Sequence, residues 1–145
     1  MSDNLDALIT KQLKSEVFQV LVVDDDDFNH LIISELLKKW NINPEFALSG
    51  EQALEMVHQN PGKFDLVLMD VYLPQMSGLE TTQKLRTKCD LKVPIIALTA
   101  DSMKDTRENI LKVGMNDVMI KPLKPESFHQ KMRHYLQQRL EDKNA

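Results

Sequence analysis

The most informative part of the chain is VLMDVYLPQMSG, residues 67–78. An apolar run ends there in a single carboxylate, Asp70, and a proline-containing loop and a glycine follow directly. A short apolar run bounded by turn residues is typical of a strand that is buried on both faces. Taken alone, an Asp in this position is more often a turn residue than a functional one. Because open α/β sheets bind ligands at the carboxyl ends of their strands, Asp70 is nevertheless a candidate functional residue.

The pattern of an apolar strand followed by a helix recurs along the chain. Strands are predicted at residues 18–23, 45–48, 64–69, 94–98 and 117–120. Helices are predicted at residues 27–40, 49–60, 77–89, 101–113 and from residue 125 onwards. This alternation predicts a parallel sheet that is covered by helices on both faces. The expected fold class is therefore α/β, with a doubly wound five-stranded parallel sheet in the order 2-1-3-4-5.

The length of 145 residues predicts one domain, which we place at residues 17–140. Residues 1–16 lie outside the strand–helix pattern and are interpreted as an N-terminal extension. Their apolar residues have helical spacing, so the extension is either a short helix, a linker remnant or a frayed terminus. The charged residues 141–145 are expected to form a mobile tail.

Composition and charge exclude several classes of protein. A net charge of −4 argues against a general nucleic-acid binder. The single cysteine, Cys89, excludes an internal disulfide framework and suits a reducing cytosol. No apolar run approaches the ~20 residues that a membrane helix requires, and the N-terminus lacks the features of a signal peptide. We therefore expect a cytoplasmic domain with neither a nucleic-acid partner nor membrane contact.

Polar side chains stand at the ends of four predicted strands. Asp24 and Asp25 follow the first strand, Asp70 the third, Thr99 the fourth and Lys121 the fifth. Adjacent strands of a sheet are under ~5 Å apart, so these groups are expected to meet at one edge. Three carboxylates repel one another, and a hard cation such as Mg²⁺ resolves that repulsion. A lysine and a hydroxyl beside them suit phosphoryl transfer, with the Asp70 carboxylate as the nucleophile.

The motifs that carry these residues resemble the receiver domain of two-component response regulators over residues 17–140. They are VVDD at 22–25, MDVYLPQMSG at 69–78, ALTA at 97–100, GMND at 114–117 and KP at 121–122. Each motif is weak alone, but their order and their placement at strand ends make the match specific. The resemblance implies a CheY-like, flavodoxin-like (βα)5 fold. The ALTA and GMND motifs are similar to the corresponding motifs in the receivers of hybrid histidine kinases.

The resemblance implies a function and a set of metal ligands. Asp70 is expected to accept a phosphoryl group from a phosphohistidine on a histidine kinase or a histidine phosphotransfer domain. Asp25 is expected to bind Mg²⁺ directly, and Asp24 largely through water. The backbone carbonyl of Tyr72 and the carboxylate of Asp70 would complete the protein's ligands.

The resemblance also assigns the two other polar groups and shows one departure from the family. Thr99 is expected to turn towards the phosphoryl group, and Lys121 to pair with it. Lys121-Pro122 is expected to be a cis bond, as is frequent in receivers. The family usually has an aromatic residue three positions before this lysine, coupled to the threonine, whereas this chain has Val118. The usual aromatic coupling is therefore not expected here.

The resemblance implies a signalling phosphoacceptor, with self-catalysed phosphotransfer and dephosphorylation, rather than a conventional enzyme. Its parent chain could be a hybrid histidine kinase. A downstream protein is expected on the face formed by the helix ending near Val113, the fifth strand and the last helix. Tyr72 and Asp101, each two residues beyond a site residue, are expected to influence the lifetime of the phosphorylated state. Exposed Phe28 and Leu31 are expected either to contact the phosphodonor or to pack locally.

Other functions fit the sequence less well. Hydrolases of the haloacid dehalogenase type have a motif with a second Asp two residues after the nucleophile. This chain has Tyr72 in that place, which disfavours such a hydrolase. A flavodoxin-like electron carrier needs a phosphate-binding loop after the first strand, and the acidic residues 24–27 would repel that phosphate. An inactive receiver that serves only as a binding module is disfavoured because the chemical residues are present. His30, His58, His129 and His134 are scattered, and all four are expected to be solvated.

Overall fold

The computed structural model describes residues 2–100 and 104–144, with side chains for residues 4–100 and 106–144. Within these residues the strands are β1 (Val20–Val23), β2 (Glu45–Ala47), β3 (Leu66–Asp70), β4 (Ile95–Thr99) and β5 (Asp117–Ile120). The helices are α1 (Ser2–Lys14), α2 (Asp27–Leu37), α3 (Gly50–Gln59), α4 (Gly78–Thr87), α5 (Lys104–Lys112) and α6 (Pro125–Asn144). The strands form one parallel sheet in the order β2-β1-β3-β4-β5, which confirms the predicted fold class.

The sheet is buried on both faces because its inner strands alternate their side chains between two apolar clusters. Val20 and Val22 pack on one side with residues from α1, α2 and α6. Leu21 and Val23 pack on the other side with residues from α3, α4 and α5. All residues of β1 are buried, as expected for an inner strand of a parallel sheet. With both faces covered, the loops at the carboxyl edge of the sheet are where polar side chains can meet.

The segment after β1 differs from the prediction at its C-terminal end. Residues predicted as one helix form α2 and a separate 3-10 turn, Lys38–Trp40. Asn41 ends this turn in the left-handed region, with a φ of 57°, and its N–H donates to the carbonyl of the first residue of the turn. The two residues predicted to lie off the inward face of this helix, Phe28 and Leu31, are exposed at 66% and 68%.

The N-terminal extension is a helix that is docked on the domain. In α1, Leu13 is fully buried and Ile9 packs against the apolar cluster beside α2 and α6. Asp6 accepts a hydrogen bond from Arg133 at 2.6 Å and lies 3.9 Å from Lys39. Of the three interpretations of the extension, the short helix agrees with the structure.

Helix α6 continues through residues 141–144, which belong to the segment predicted as a mobile tail. Leu140 is buried, and Lys143 lies 2.9 Å from the Asp65 carboxylate and 5.4 Å from the centre of the Phe18 ring. Arg139 binds the same Asp65 oxygen at 2.9 Å. Because these contacts anchor α6 next to its end, residues 141–144 are part of the helix. Ala145 lies outside the described residues.

The described side chains of helix α5 are mostly exposed. Among its residues with described side chains, Ile110 is the buried one, and Leu111 is 62% exposed. The helix ends before Gly114, whose φ of 103° suits a glycine after a helix C-terminus. The predicted N-cap, Asp101 or Ser102, lies outside the described residues. In the described part of the chain, no helix combines the length and the apolar character that crossing a membrane requires.

Candidate functional site

The parallel sheet brings the predicted polar residues to one edge. Asp70 is the last residue of β3 and Thr99 the last of β4, while Asp24 and Lys121 directly follow β1 and β5. Strand β3 lies between β1 and β4, so Asp70 is central among them. Asp24, Asp70 and Thr99 are buried, with exposures of 0%, 7% and 1%. The prediction that these distant residues converge is confirmed for the carboxylates and the lysine by the distances below.

Lys121 bridges two buried carboxylates. Its Nζ atom lies 3.1 Å from Oδ2 of Asp70 and 3.2 Å from Oδ2 of Asp24. Burial acts to lower the pKa of the Lys121 ammonium, but the two carboxylates outweigh burial and raise that pKa. The lysine therefore stays charged and offsets part of the repulsion between Asp24 and Asp70. Two buried carboxylates without such a cation would carry a large desolvation penalty.

The Asp24 carboxylate is held by several donors. Its Oδ1 atom accepts a hydrogen bond from the backbone N–H of Asp26 at 2.9 Å. Its Oδ2 atom accepts from the side-chain amide of Asn29 at 3.1 Å, in addition to Lys121. A carboxylate offers about four acceptor sites, so three of them are occupied at Asp24. About one site therefore remains for water or another donor.

Asp25 is the accessible carboxylate of the group. It is exposed, and among the described residues no donor is bonded to its side chain. One oxygen each from Asp24, Asp25 and Asp70 lies within 4.8 Å of the others. Three carboxylates at this spacing are hard oxygen donors, which fit a cation such as Mg²⁺ and do not fit a soft metal.

The Asp70 side chain is oriented by the loop that follows it. Its Oδ1 atom accepts a hydrogen bond from the backbone N–H of Tyr72 at 3.0 Å, and Oδ2 faces Lys121. Burial raises the pKa of the Asp70 carboxyl, and this outweighs the opposing effects of Lys121 and the Tyr72 N–H. Tyr72 is 61% exposed, and its backbone N–H is the group that contacts Asp70. Asp101, which is expected to act with Tyr72, lies outside the described residues.

Gly78 packs against the backbone of the candidate nucleophile, where only a residue without a Cβ atom fits. A Cβ atom added at Gly78 would lie 2.0 Å from the carbonyl oxygen of Asp70 and 3.0 Å from Cα of Val71. The Gly78 N–H also donates to the Val71 carbonyl at 2.9 Å. The glycine in the motif therefore allows α4 to begin against the backbone that carries Asp70, with Ser77 as its N-cap.

The expected cis bond directly follows strand β5, and β5 contains the residue that departs from the family pattern. The Lys121-Pro122 bond is cis, as predicted. Val118 is half-buried, and its carbonyl accepts a hydrogen bond from Lys131 at 2.7 Å. The valine side chain has no aromatic ring, in agreement with the expectation that the usual aromatic coupling is missing here.

The sequence pattern alone does not single out Asn29 or His30, which the structure places at the site. His30 is 9% exposed, stacks on Phe46 and contacts the carbonyl oxygen of Asp24. The expectation that all four histidines are solvated is therefore wrong for His30. It is also wrong for His129, which is half-buried and contacts the Leu36 carbonyl at 2.9 Å. The position of His30, three residues before a buried isoleucine of α2, is a helical spacing that indicates burial.

The sheet order and the strand-end group of three carboxylates and one lysine define an α/β domain of the phosphoacceptor class. The chain belongs to the response regulator receiver domain family, whose profile matches residues 20–133. It is 36% identical over 125 residues to the autoinducer 2 sensor kinase/phosphatase LuxQ of Vibrio vulnificus (strain YJ016). That match covers 86% of this chain and 14% of the relative, so the chain spans about a seventh of the relative's length.

Solved structures agree with this assignment. The receiver domain of the sensor histidine kinase PA1611 of Pseudomonas aeruginosa PAO1, with a magnesium ion coordinated in its active site cleft, is 30% identical. Its TM-score is 0.72, and the match covers 83% of this chain and 98% of that one. The receiver domain of the Saccharomyces cerevisiae response regulator Ssk1, crystallised with the histidine phosphotransfer protein Ypd1, matches with 27% identity and a TM-score of 0.72. That match covers 82% of this chain and 88% of that one.

Proposed function

We propose that this domain accepts a phosphoryl group on Asp70 from a phosphohistidine and, in that state, signals to a partner protein. The observation that carries the proposal is the pairing of Lys121 with both Asp70 and Asp24, at 3.1 and 3.2 Å, beside the accessible Asp25. A strand-end carboxylate that faces a fixed ammonium suits phosphoryl transfer, where positioning and charge neutralisation supply most of the catalysis. In this proposal the domain is a cytoplasmic signalling module rather than a conventional enzyme.

The proposed metal site uses Asp25 and Asp70, with Asp24 acting largely through water and the Tyr72 carbonyl as a further ligand. The donors around Asp24 support this division, because they occupy about three of its four acceptor sites. Asp25 is exposed and retains its acceptor sites. When bound, Mg²⁺ would neutralise charge on the carboxylates and on the incoming phosphoryl oxygens. The magnesium ion in the cleft of the PA1611 receiver supports this choice of metal.

The proposed chemistry is an in-line displacement at phosphorus. An oxygen of the Asp70 carboxylate attacks the phosphorus atom and forms the acyl phosphate bond. The N–P bond of the donor phosphohistidine breaks, and its electron pair stays on the imidazole, which then takes up a proton. Lys121 is already within 3.1 Å of Asp70 and would pair with the new phosphoryl oxygens. Thr99, buried at the end of β4, would donate its hydroxyl to the same group. Water attack on the acyl phosphate would then complete a self-catalysed dephosphorylation.

The proposed donor surface lies beside the acidic cluster. A largely apolar groove of about 380 Å³ is lined by Phe28, Ile32, Ala100, Pro122 and Leu123, and it reaches Lys121. Phe28 and Leu31 are exposed at 66% and 68%, so both apolar side chains of this helix end are accessible to a partner protein. A histidine kinase or histidine phosphotransfer domain would present its phosphohistidine here, and the Ssk1 receiver was crystallised with such a phosphotransfer protein.

The proposed output surface is the α5–β5–α6 face. A groove of about 480 Å³ borders Val118 there, and Arg107, Lys124 and Phe128 contribute to its lining. A downstream protein would bind this face when the charge at Asp70 changes. The relatives are sensor kinases, so the domain would act as one relay step of a hybrid histidine kinase.

Intact mass spectrometry after incubation with Mg²⁺ and acetyl phosphate or phosphoramidate tests the proposal. We expect a single phosphoryl adduct, which is lost in Asp70→Asn and in the presence of EDTA. Asp142→Asn is the matched control, because Asp142 is an exposed residue of α6, and it should keep the adduct. Absence of an adduct in the wild type, or rapid turnover of many equivalents of donor, would contradict the proposal, and the latter would indicate a hydrolase.

A further inference from the structure

His30 is a buried titratable side chain to which the reaction above assigns no role. Its Nε2 atom lies 2.6 Å from the backbone carbonyl oxygen of Asp24. A carbonyl oxygen accepts and cannot donate, so Nε2 must carry the hydrogen of this bond. The other ring nitrogen, Nδ1, is 3.7 Å from the exposed carboxylate of Asp27, which is too long for a hydrogen bond. Among the described residues, the hydrogen bond of the imidazole is therefore with the peptide that joins Asp24 to Asp25.

The imidazole ring is held from the opposite direction by strand β2. Its centroid lies 4.3 Å from that of the Phe46 ring, with an angle of 19° between the planes. Phe46 is opposite Val22 in the β1–β2 register, so it is fixed by the sheet. His30 is 9% exposed and its ring is stacked on Phe46, so few side-chain rotamers are accessible to it. His30 is therefore a rigid donor rather than a flexible one.

The peptide that His30 binds determines where Asp25 lies. The N–H of Asp24 donates to the Ala47 carbonyl at 3.1 Å, and its C=O accepts from His30, so both backbone groups of Asp24 are occupied. The Asp24 side chain has further anchors of its own. Among the described residues Asp25 has no side-chain anchor, so its carboxylate depends on the orientation of the preceding peptide.

We propose that His30 is a positioning residue for the metal site, which acts on Asp25 through the Asp24 carbonyl. The proposal rests on the proposed function, since it assigns His30 a role in building the Mg²⁺ site used in phosphorylation. Without the Nε2–H donor, the peptide between Asp24 and Asp25 can rotate, and the Asp25 oxygen leaves its place near Asp70. The first quantity to change is Mg²⁺ affinity rather than the rate at saturating Mg²⁺.

Two substitutions at His30 separate the donor from the ring. His30→Phe keeps a ring against Phe46 and removes the donor, whereas His30→Gln supplies an amide N–H at a similar distance from the backbone. We expect His30→Phe to raise the half-saturating Mg²⁺ concentration roughly three- to tenfold, as the loss of one hydrogen bond predicts. His30→Gln should remain within about twofold of the wild type. His58→Phe and His58→Gln, at an exposed position of α3, are the matched controls and should change nothing.

The measurement combines calorimetric Mg²⁺ titration of the whole chain with phosphorylation by acetyl phosphate at increasing Mg²⁺. The expected pattern in His30→Phe is weaker Mg²⁺ binding with an unchanged plateau rate for each folded molecule, measured below the onset of thermal melting in EDTA. In an Asp25→Asn background, His30→Phe should add no further loss, because both changes act on the same ligand.

Several outcomes would overturn the inference. One is an unchanged Mg²⁺ affinity in His30→Phe, and another is a loss of affinity in Asp25→Asn that His30→Phe deepens by the same factor. A third is a fall in melting temperature in EDTA together with a loss of rate that only follows the folded fraction, in both His30 variants. These outcomes leave the proposed function intact, provided that the wild type binds Mg²⁺ and is phosphorylated on Asp70. A wild type that does neither refutes both proposals.

Discussion

At the scale of single residues, the site depends on one position that has no side chain. Gly78 contacts the backbone of Asp70 so closely that a Cβ atom would meet the Asp70 carbonyl oxygen at 2.0 Å. The contact is with backbone, which cannot move aside like the end of a flexible side chain. The position is therefore closed to every other residue unless β3 or α4 shifts, and a shift of β3 moves the nucleophile.

Gly78→Ala should lower the free energy of unfolding by about 1–3 kcal/mol, the usual range for overpacking. It should also slow phosphorylation by acetyl phosphate for each folded molecule, because Asp70 is displaced from Lys121. Urea unfolding and intact mass kinetics measure the two effects.

Gly62→Ala is the control for this prediction. Gly62 has a φ of 83° and open space around its Cα, so an Ala there adds only backbone strain. The rate of phosphorylation of Asp70 by acetyl phosphate should therefore be unchanged in this variant. Equal phosphorylation rates in Gly78→Ala and the wild type would show that the close contact does not position Asp70.

The residues of the site differ in how far the sequence predicts them. Asp24, Asp70 and Lys121 are predictable because each stands at the end of an apolar strand, where parallel topology brings strand ends together. Asn29 and His30 are not predicted, since they lie on a helix and act through the Asp24 carboxylate and carbonyl. Their roles follow from the direction of side chains in three dimensions, which spacing along the chain does not specify.

At the scale of elements, the five strands and the helices after them follow directly from the alternation of apolar runs and helical spacing. Their ends follow less well, because they depend on tertiary contacts. Helix α6 reaches Asn144 because Asp65, which is buried directly before β3, binds both Arg139 and Lys143. A charged C-terminal sequence carries no sign of a partner located 74 residues earlier. Helix α1 is anchored in the same way, by Asp6 and Arg133.

The junction between β5 and α6 is held by a polar group whose strength depends on pH. Oδ1 of Asp117 accepts from Lys131 at 2.9 Å, and Oδ2 accepts from the Tyr135 hydroxyl at 3.0 Å. Burial acts to raise the pKa of Asp117, but the donors from Lys131, Val118 and Tyr135 outweigh it and lower that pKa. Burial and the Asp117 carboxylate raise the pKa of Tyr135 to about 12.

The signs of these shifts predict a pH window for the junction. Asp117 has a lowered pKa, so its contribution to stability is present above the ordinary Asp value and is lost as pH falls through the folded value. Tyr135 has a raised pKa, so its contribution is present below the ordinary Tyr value of about 10 and is lost as pH rises through about 12. The junction is therefore expected to be strongest between about pH 4 and pH 10.

Asp117→Asn should lower the free energy of unfolding at pH 7 by about 1 kcal/mol, a small value because the group is partly exposed and screened by solvent. The difference from the wild type should shrink as the pH falls below about 4. Urea titrations at several pH values measure it, and Asp142→Asn on the exposed face of α6 is the control. A difference that stays constant down to pH 3 would show that the Asp117 charge does not stabilise the junction.

Across the domain, a charge on Asp70 must change the α5–β5–α6 face if a partner protein is to bind there. Phosphorylation adds about 1.5–2 negative charges at the edge of the sheet. Val118 has no ring that could swing in response, so an aromatic switch cannot operate at that position. Among the side chains of α5 that the structure describes, Ile110 is the buried one, and elements with little buried surface are the ones that move most readily. A movement of α5 is therefore the simplest route for the signal.

Beryllofluoride, a stable mimic of the phosphoryl group, should reveal this movement in heteronuclear NMR spectra. With Mg²⁺ and beryllofluoride, we expect shift changes at the site and also along α5 and β5, up to Val118 and Ile110, because the new charge alters the loops that follow β3 and β4. The Asp70→Asn variant should show none of these changes, which separates them from effects of Mg²⁺ or fluoride alone. Residues of α1 and of the distant end of α6 serve as an internal reference, since their anchors at Asp6 and Asp65 lie away from the strand ends that form the site. If the changes stop at the residues around Asp70, Val118 has uncoupled the site from the α5–β5–α6 face, and the output must be read from the phosphorylated pocket itself.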